Sequence, residues 1–545
     1  MPTEFLTSRQ IAEQTLQDVL NDFDIKLPSH VQNFAIDFPY PIPSPEETNS
    51  EKLNLSLVGA IPACANAIIA AAIFQARGGA AQRVGIDLRR GHNYIDPDIG
   101  MTPSLNRQEV PLDVVFGNPF LKNIYETEDH KYAVLSAVYV DLVYQWSAFL
   151  GCSVAQSAVA EAVKSWNATD LEEAAAAAGL PMAICQTEES WKRHPQGVEL
   201  GKKPWVPVEE VPSVPAENDS LPLPLPCHPA RPLSGLRVLC LTHAIAGPSA
   251  GRTLAEHGAS ALQVMFTHGF EHLFVYSYAS LGLSTTRLSL HKEADRARLR
   301  TLVKDAHVWI DSYRPDAIAK FGFSNSDLHH INHSLIICRV TCYGTSGPWN
   351  SKPGFDMQGS SSSGMMTLMG QGVGDGQPQW PPGMVINDYT TGYAAALAIQ
   401  SIIVKRVQGE VGAQHGWLVS PSLTGTAMAI SKYFKTSRFS PPTDQEGSHA
   451  LPPETLEGDT GLGYLKTLAS LPKLSVTPIF YEVGLLGSLG SALPRFPGYD
   501  ADFDLEDATP MKKEDVAEQV GAPKAQRLEE LRKLAKAYKA RRDRT

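Results

Sequence analysis

From Leu236 onward the chain alternates short apolar runs with helical stretches, and that alternation restricts its fold more than any other feature. Leu236-Arg-Val-Leu-Cys-Leu241 reads as a β-strand, Gly247-Pro248 turns into a helix over residues 249–258, and Ala261-Leu-Gln-Val-Met265 is the next strand. Two strands joined by a helix lie parallel, because only a crossover connection can bring the chain back to start again in the same direction. The pattern continues with a helix over residues 292–305, the strand Val308-Trp-Ile-Asp311, a helix over 316–321 and the strand Leu335-Ile-Ile-Cys-Arg-Val340. An α/β fold with a doubly wound, Rossmann-like parallel sheet is expected.

Upstream the pattern changes. Residues 1–50 hold one helical stretch (8–23) and a Pro-rich passage (39–45) that should be extended and superficial. A helix of small residues spans 55–77, and after Gly78-Gly79 comes the alternating run Gln82-Arg-Val-Gly-Ile-Asp-Leu88. From Lys131 a strand and then helical sequence follow, ending in Glu172-Glu-Ala-Ala-Ala-Ala-Ala-Gly-Leu-Pro181, with a glycine stop and a proline beyond it. Residues 203–232 are rich in proline and read as a linker. The expected organisation is therefore an extension (1–50), a first part with a smaller αβ domain (51–202), the linker (203–232), the large domain (233–440), and an irregular return segment with a basic helical tail (441–545).

One internal echo cuts across this division. The helix after Gly59 is followed by Gly79-Ala-Ala-Gln82-Arg-Val-Gly-Ile86, and the helix after Gly392 by Gly412-Ala-Gln414-His-Gly-Trp-Leu-Val419, at closely similar spacing. It reads as a degenerate tandem duplication. Counted along the echo, the counterpart of Asp388 falls near Leu55, where no carboxylate stands.

Composition narrows the function. With 43% hydrophobic and 19% charged residues the chain is globular, and its formal net charge of -11 offers no broad basic field for a nucleic acid. The basic run over 533–544 reads as the end of a solvated amphipathic helix, with a partner or membrane-surface role as the alternative. Seven scattered cysteines without a two-residue spacing fit a reduced, cytoplasmic setting. No metal site is expected, since His329, His330 and His333 have only Asp327 near them, and no apolar run is expected to reach the length needed to span a bilayer, the longest free of Gly and Pro being 67–74.

The chemistry centres on Met384-Val-Ile-Asn-Asp388-Tyr-Thr-Thr-Gly392, where an apolar approach delivers one carboxylate to the mouth of an alanine-rich helix. The amino end of a helix favours negative charge, which makes Asp388 a candidate nucleophile. The alternative is an Asp that caps the helix through Thr390 or Thr391. Gly370-Gln-Gly372-Val-Gly374-Asp-Gly376 is either a loop whose amides stabilise an oxyanion or a flexible connection.

Five blocks then occur in order: Leu233-Ser-Gly-Leu-Arg-Val-Leu-Cys-Leu-Thr-His243-Ala-Ile-Ala-Gly247-Pro248; Asp311-Ser-Tyr313-Arg314-Pro315 with Phe321-Gly322; Cys342-Tyr343-Gly344-Thr-Ser-Gly347-Pro348; Pro353-Gly354-Phe355-Asp356; and Asn387-Asp388-Tyr-Thr-Thr-Gly392. Together they resemble the class III CoA-transferases of CaiB/BaiF type, which include formyl-, carnitine- and bile-acid-CoA transferases and α-methylacyl-CoA racemases. The resemblance is close over 233–430 and looser over 129–197, which is similar to the family's small domain. It implies interlocked rings, formed here by a homodimer or by an intrachain pseudo-dimer.

The resemblance also implies a reaction. Asp388 would attack an acyl-CoA thioester to give a mixed anhydride and then an aspartyl-CoA thioester, which a carboxylic acid acceptor resolves. Coenzyme A, bound as the acyl-CoA substrate, would meet His243, Gly247, Pro248, Arg314, Lys320, Tyr343 and Gly344, with Tyr313 a flat surface beside adenine and Gly370, Gly372 and Gly374 the oxyanion loop. Two departures stand out: Met265-Phe266-Thr267 where the family has an acid, and Leu281-Gly282-Leu283-Ser284-Thr285 in place of its Arg-Gly-Lys-Arg stretch. The phosphate cations then come from Arg83, Arg89 or Arg90, or CoA binding is weakened or lost. The family's racemase His falls at Phe355, which cannot shuttle a proton. A racemase or epimerase, a CoA-dependent lyase and a non-catalytic scaffold stand as the alternatives to a CoA-transferase.

Overall fold

A computed structural model describes residues 6–26, 36–96, 100–112, 117–211, 224–266, 269–444, 446–498 and 522–542. They fall into two compact units, each drawn from separate stretches of chain: residues 1–112, 195–351 and 381–498 form the first, and 113–194, 352–380 and 499–545 the second.

The first unit is built on a seven-stranded sheet. In chain order its strands are β1 (Val208–Val211), β2 (Arg237–Leu241), β3 (Ser260–Phe266), β4 (Ser284–Leu288), β5 (Val308–Asp311), β6 (Ile336–Arg339) and β7 (Gly416–Val419). Their spatial order is β4-β3-β2-β5-β6-β7-β1. Every pair is parallel except β7 with β1. The order reverses between β2 and β5, so the chain leaves these neighbouring strands in opposite directions and opens a crevice beyond their carboxyl ends.

Two strands were hidden in the sequence. β1 lies inside the expected linker and pairs antiparallel with β7, covering an edge that would otherwise present unpaired backbone groups; residues 212–223 of that linker lie outside the described residues. β4 begins in the stretch read only for its missing cations. Its Ser-Thr-Thr-Arg-Leu sequence is polar, but β-branched threonines suit an extended backbone, and Thr285 and Thr286 are buried.

Three helices of this unit position the site: α1 (Leu55–Ala76), α2 (Ala246–Glu256) and α3 (Ile386–Val407). α1 is long and apolar enough to cross a bilayer by length and composition, and its apolar window is entirely covered by protein. It packs along α3, and both helices are 22 residues long. A polar clasp joins them: Asn66 Nδ2 donates to the carbonyl of Tyr393 (2.9 Å), and Gln400 Nε2 donates to Asn66 Oδ1 (2.7 Å). After α1 the expected strand shrinks to Val84–Gly85, because the chain turns at Leu88–Tyr94 into a 3-10 helix. The return segment is more regular than its composition suggested, with a hairpin of Thr455–Thr460 and Gly463–Leu468.

The second unit has its own core. Tyr125–Glu126, Tyr132–Leu135 and Met182–Ile184 form an antiparallel sheet, backed by the helices Val140–Leu150, Gln156–Lys164 and Ala168–Ala177. The tail helix Ala522–Arg542 docks on Val140–Leu150. Its Leu531 and Ala535 join Trp146, Phe149 and Trp166 in the core, so this basic helix is solvated on one side only.

Candidate functional site

Asp388 lies in the first turn of α3, two residues inside the helix start, and is only 8% exposed. It stands inside the helix and not at its cap position; the hydroxyls of the next threonines bond locally, Thr390 Oγ1 donating to the Ile386 carbonyl (2.9 Å) and Thr391 Oγ1 to Thr426 Oγ1 (2.8 Å). The cap position itself is Val385, whose side chain makes no capping bond. The amides that enter the helix are held instead by Asp96, whose Oδ2 accepts from Met384 N (2.6 Å) and Val385 N (3.0 Å).

One turn further along, Gly392 sets how closely α3 meets α2. A Cβ there would stand 2.6 Å from Ser249 Cβ and 3.1 Å from the Ala246 carbonyl oxygen. Gly247 does the same for α2 against the sheet, where a Cβ would lie 2.8 Å from Thr242 Cγ2 and 3.0 Å from Ser312 Oγ. Two glycines thus bring the starts of α2 and α3 together at the carboxyl end of β2. Pro248 is buried beside Gly247 in the first turn of α2.

Beyond β2 and β5 the side chains form an aromatic shelf. The His243 and Tyr313 rings stack at 4.5 Å and 14°, and Phe266 leans on Tyr313 at 4.6 Å. Ser312 Oγ ties the shelf, accepting from His243 N (3.1 Å) and lying 3.3 Å from His243 Nδ1. Burial, and then the adjoining Arg314, push the His243 pKa down to about 4. The ring is therefore neutral near pH 7, and the positive charge beside it belongs to the exposed Arg314. Burial also raises the Tyr313 pKa, with Glu271 and Asp311 adding to it, so its phenol stays protonated.

The turn after β2 is strained. Ala244 has φ +57, a left-handed conformation that a residue with a Cβ adopts at a cost. Glu271 holds it there, its Oε2 accepting from Ala244 N (2.7 Å).

The other candidates are more dispersed. Tyr343 and Gly344 lie after β6, in a turn ordered by Gln196, whose Nε2 donates to the Tyr343 carbonyl (2.7 Å) and whose Oε1 accepts from Trp349 N (2.8 Å). Lys320 follows the short helix Pro315–Ala319 as its C-cap and lies over the Phe321 ring at 5.1 Å. Gly370, Gly372 and Gly374 belong to the second unit, where Gly370 ends a helix and Gly372 and Gly374 are exposed with positive φ. Two loop amides serve its own turns, Val373 N on the Gly370 carbonyl and Gly376 N on the Val373 carbonyl. Of the alternative cations, Arg89 and Arg90 are both engaged by Asp87 (3.0 and 3.4 Å), while Arg83 is exposed. Among the described residues no cluster of His, Cys, Asp and Glu could hold a metal ion.

Sequence reading missed Asp96 and Glu271. Nothing around either marks it, since Asp96 binds the amides of Met384 and Val385 across a long stretch of chain and Glu271 binds that of Ala244.

Compared with known proteins, residues 233–455 match CoA-transferase family III. An acetyl-coenzyme A transferase of Hypoxylon pulicicidum is 35% identical over 187 residues, which are 34% of this chain and 31% of that protein. A succinate–glutarate CoA-transferase of Agrobacterium fabrum is 32% identical over 202 residues, covering 34% of this chain and 50% of its own length. For a succinyl-CoA:glutarate CoA-transferase of Mus musculus the identity is 30% over 192 residues, with 33% and 43% covered. The chain spans half or less of the length of these relatives. Among solved structures, a CAIB/BAIF family protein from Brucella suis is 25% identical with a TM-score of 0.33, over 43% of this chain and 65% of that one.

Proposed function

With a CoA-transferase family III region over residues 233–455, we propose that this chain is a class III CoA-transferase that moves CoA between carboxylic acids, with Asp388 as its nucleophile. The observation that carries the reading is the place of Asp388: a buried carboxylate in the first turn of α3, one turn before α3 meets the start of α2.

The Asp388 carboxylate attacks the thioester carbonyl carbon, the C–S bond breaks, and CoA leaves as a thiolate. The mixed anhydride is then attacked at the aspartyl carbonyl by that thiolate, which releases the first acid as its carboxylate and leaves CoA on Asp388. An acceptor carboxylate attacks this aspartyl thioester, giving a second anhydride, and the returning thiolate takes the acceptor acyl group and restores Asp388. No proton has to move, so a carboxylate already ionised at neutral pH suffices. The positive end of α3 favours the charge that develops on the carbonyl oxygen.

For the substrate, the His243–Tyr313–Phe266 shelf offers an adenine ring a flat surface, and Arg314 at its side offers charge to a phosphate. Phe355, at the position of the racemase His, supports transfer over epimerisation. The packing of the equally long α1 and α3, clasped by Asn66 and Gln400, supports an intrachain pseudo-dimer born of duplication. All seven cysteines are free thiols, in keeping with a cytoplasmic setting.

Incubation with an acyl-CoA and hydroxylamine should leave a hydroxamate on Asp388, read by peptide mass spectrometry, and Asp388→Ala should abolish both the adduct and CoA exchange. No adduct and no exchange across acetyl-, succinyl- and palmitoyl-CoA would sink the proposal. The same thioesters, screened by thermal shift, identify the donor through the stabilisation that binding confers.

A further inference from the structure

We propose that Asp96, from the sequence ahead of the sheet, is a positioning residue for the nucleophile: its carboxylate fixes the start of α3 and with it the direction of Asp388. The inference rests on the reading of Asp388 as the nucleophile. α3 begins at Ile386, and its cap residue Val385 makes no side-chain capping bond. Asp96 Oδ2 instead holds the two residues that lead into the helix, taking Met384 N at 2.6 Å and Val385 N at 3.0 Å. Short charge-assisted bonds to two successive amides fix orientation as well as distance. The Asp388 backbone follows within the same turn.

Asp96 is itself enclosed. It is 1% exposed, and it follows the 3-10 helix Leu88–Tyr94, which packs on α1. Asn93 Nδ2 donates to the carbonyls of Arg90 and Leu451 (2.9 Å each), Leu451 N donates to the Arg89 carbonyl (3.0 Å), and Gly100 N donates to that of Asp96 (3.1 Å). Asp96 and Asp388 both act on the buried phenol of Tyr389, whose pKa rises first by burial and then by these two charges among others. The two carboxylates thus serve one helix mouth from different ends of the chain. A site held through a rigid arm keeps its geometry, and small misplacements of a reacting group are costly in rate.

The test compares Asp96→Asn, Asp96→Ala and Asp388→Ala in the full chain, by CoA exchange and hydroxamate formation with acetyl-, succinyl- and palmitoyl-CoA. Asp96→Ala should lower kcat about a hundredfold with KM within about twofold. Asp96→Asn keeps an oxygen for the two amides and should stay within about threefold of the parent kcat. Parental kcat in Asp96→Ala, or a raised KM without loss of kcat, overturns the proposal. If Asp96→Ala does not fold, Asp96→Glu decides it: moving the carboxylate by about one C–C bond of 1.5 Å should lower kcat at constant KM, and an unchanged kcat counts against. If the parent chain shows neither exchange nor adduct, the reading of Asp388 fails and this inference with it. Where the parent is active and Asp388→Ala is inactive, only the role of Asp96 is at stake.

Discussion

Gly59 and Gly91 meet backbone to backbone: a Cβ on Gly59 would stand 2.0 Å from the Gly91 carbonyl oxygen, and one on Gly91 2.1 Å from that of Ser56. The echo in the sequence pairs Gly59 with Gly392, and both glycines are points where a 22-residue helix admits a close neighbour. Because the obstacle at Gly59 is backbone, nothing flexible can swing aside. Gly59→Ala should destabilise the fold by about 1–3 kcal/mol through overpacking, less the roughly 1 kcal/mol by which Ala favours a helix. Urea unfolding followed by circular dichroism reads this as a lowered midpoint; a raised midpoint contradicts the close approach.

A second prediction concerns the buried pair Arg252 and Glu256, one turn apart on α2 with Nε and Oε1 at 3.6 Å. The guanidinium lies 4.1 Å from the centre of the Tyr278 ring, and Tyr481 donates its hydroxyl to Glu256 (3.0 Å). Removing the cation alone strands a carboxylate whose pKa burial already raises. Arg252→Met should therefore cost about 3–5 kcal/mol, and the double variant with Glu256→Gln should recover part of that loss. Strict additivity of the two changes would show that the pair is not coupled.

The aromatic shelf predicts a separation of binding from chemistry. Arg314→Ala should raise KM for acyl-CoA about tenfold through the loss of one exposed phosphate contact, and Tyr313→Leu should do so through lost stacking, each with kcat within about threefold. Steady-state kinetics decides this, and a pure kcat effect would place these residues elsewhere in the reaction.

Acid should weaken the fold through its buried histidines. His257 is pushed down to about 3, by burial and then by Arg231, and His243 to about 4, from an ordinary value of 6.5. Between these values the unfolded chain binds protons that the folded chain refuses, so the stability is complete above about pH 6.5 and is lost as pH falls toward 4 and then 3. The urea midpoint should drop between pH 7 and pH 4.5, and His257→Gln should drop less; equal slopes would remove His257 as a cause.

Local pattern made the central sheet legible. The strand Val308–Asp311 has the ends its sequence predicts, because an apolar run between two helical stretches has no other good solution. β1 is not so marked, since prolines on either side disguise an edge strand whose own residues, Val-Glu-Glu-Val, show little burial. Of the candidate residues, Asp388 could be named because it stands at a helix mouth, and His243, Tyr313 and Arg314 only through the family blocks in which they lie. Asp96 could not, because its partners, Met384 N and Val385 N, lie 288 and 289 residues away and no local periodicity encodes such a contact. The division into two units was equally hidden: each gathers stretches that the chain visits at different times.

That ordering in time has a consequence for α1. Its clasp to α3 joins Asn66 to the carbonyl of Tyr393, 327 residues further on. At a synthesis rate of roughly 5–20 residues per second, α1 emerges from the ribosome roughly 20–60 s before the helix that covers it. During that interval the nascent chain carries 22 residues with the length and apolarity of a membrane span, without the partner helix that covers them in the finished fold.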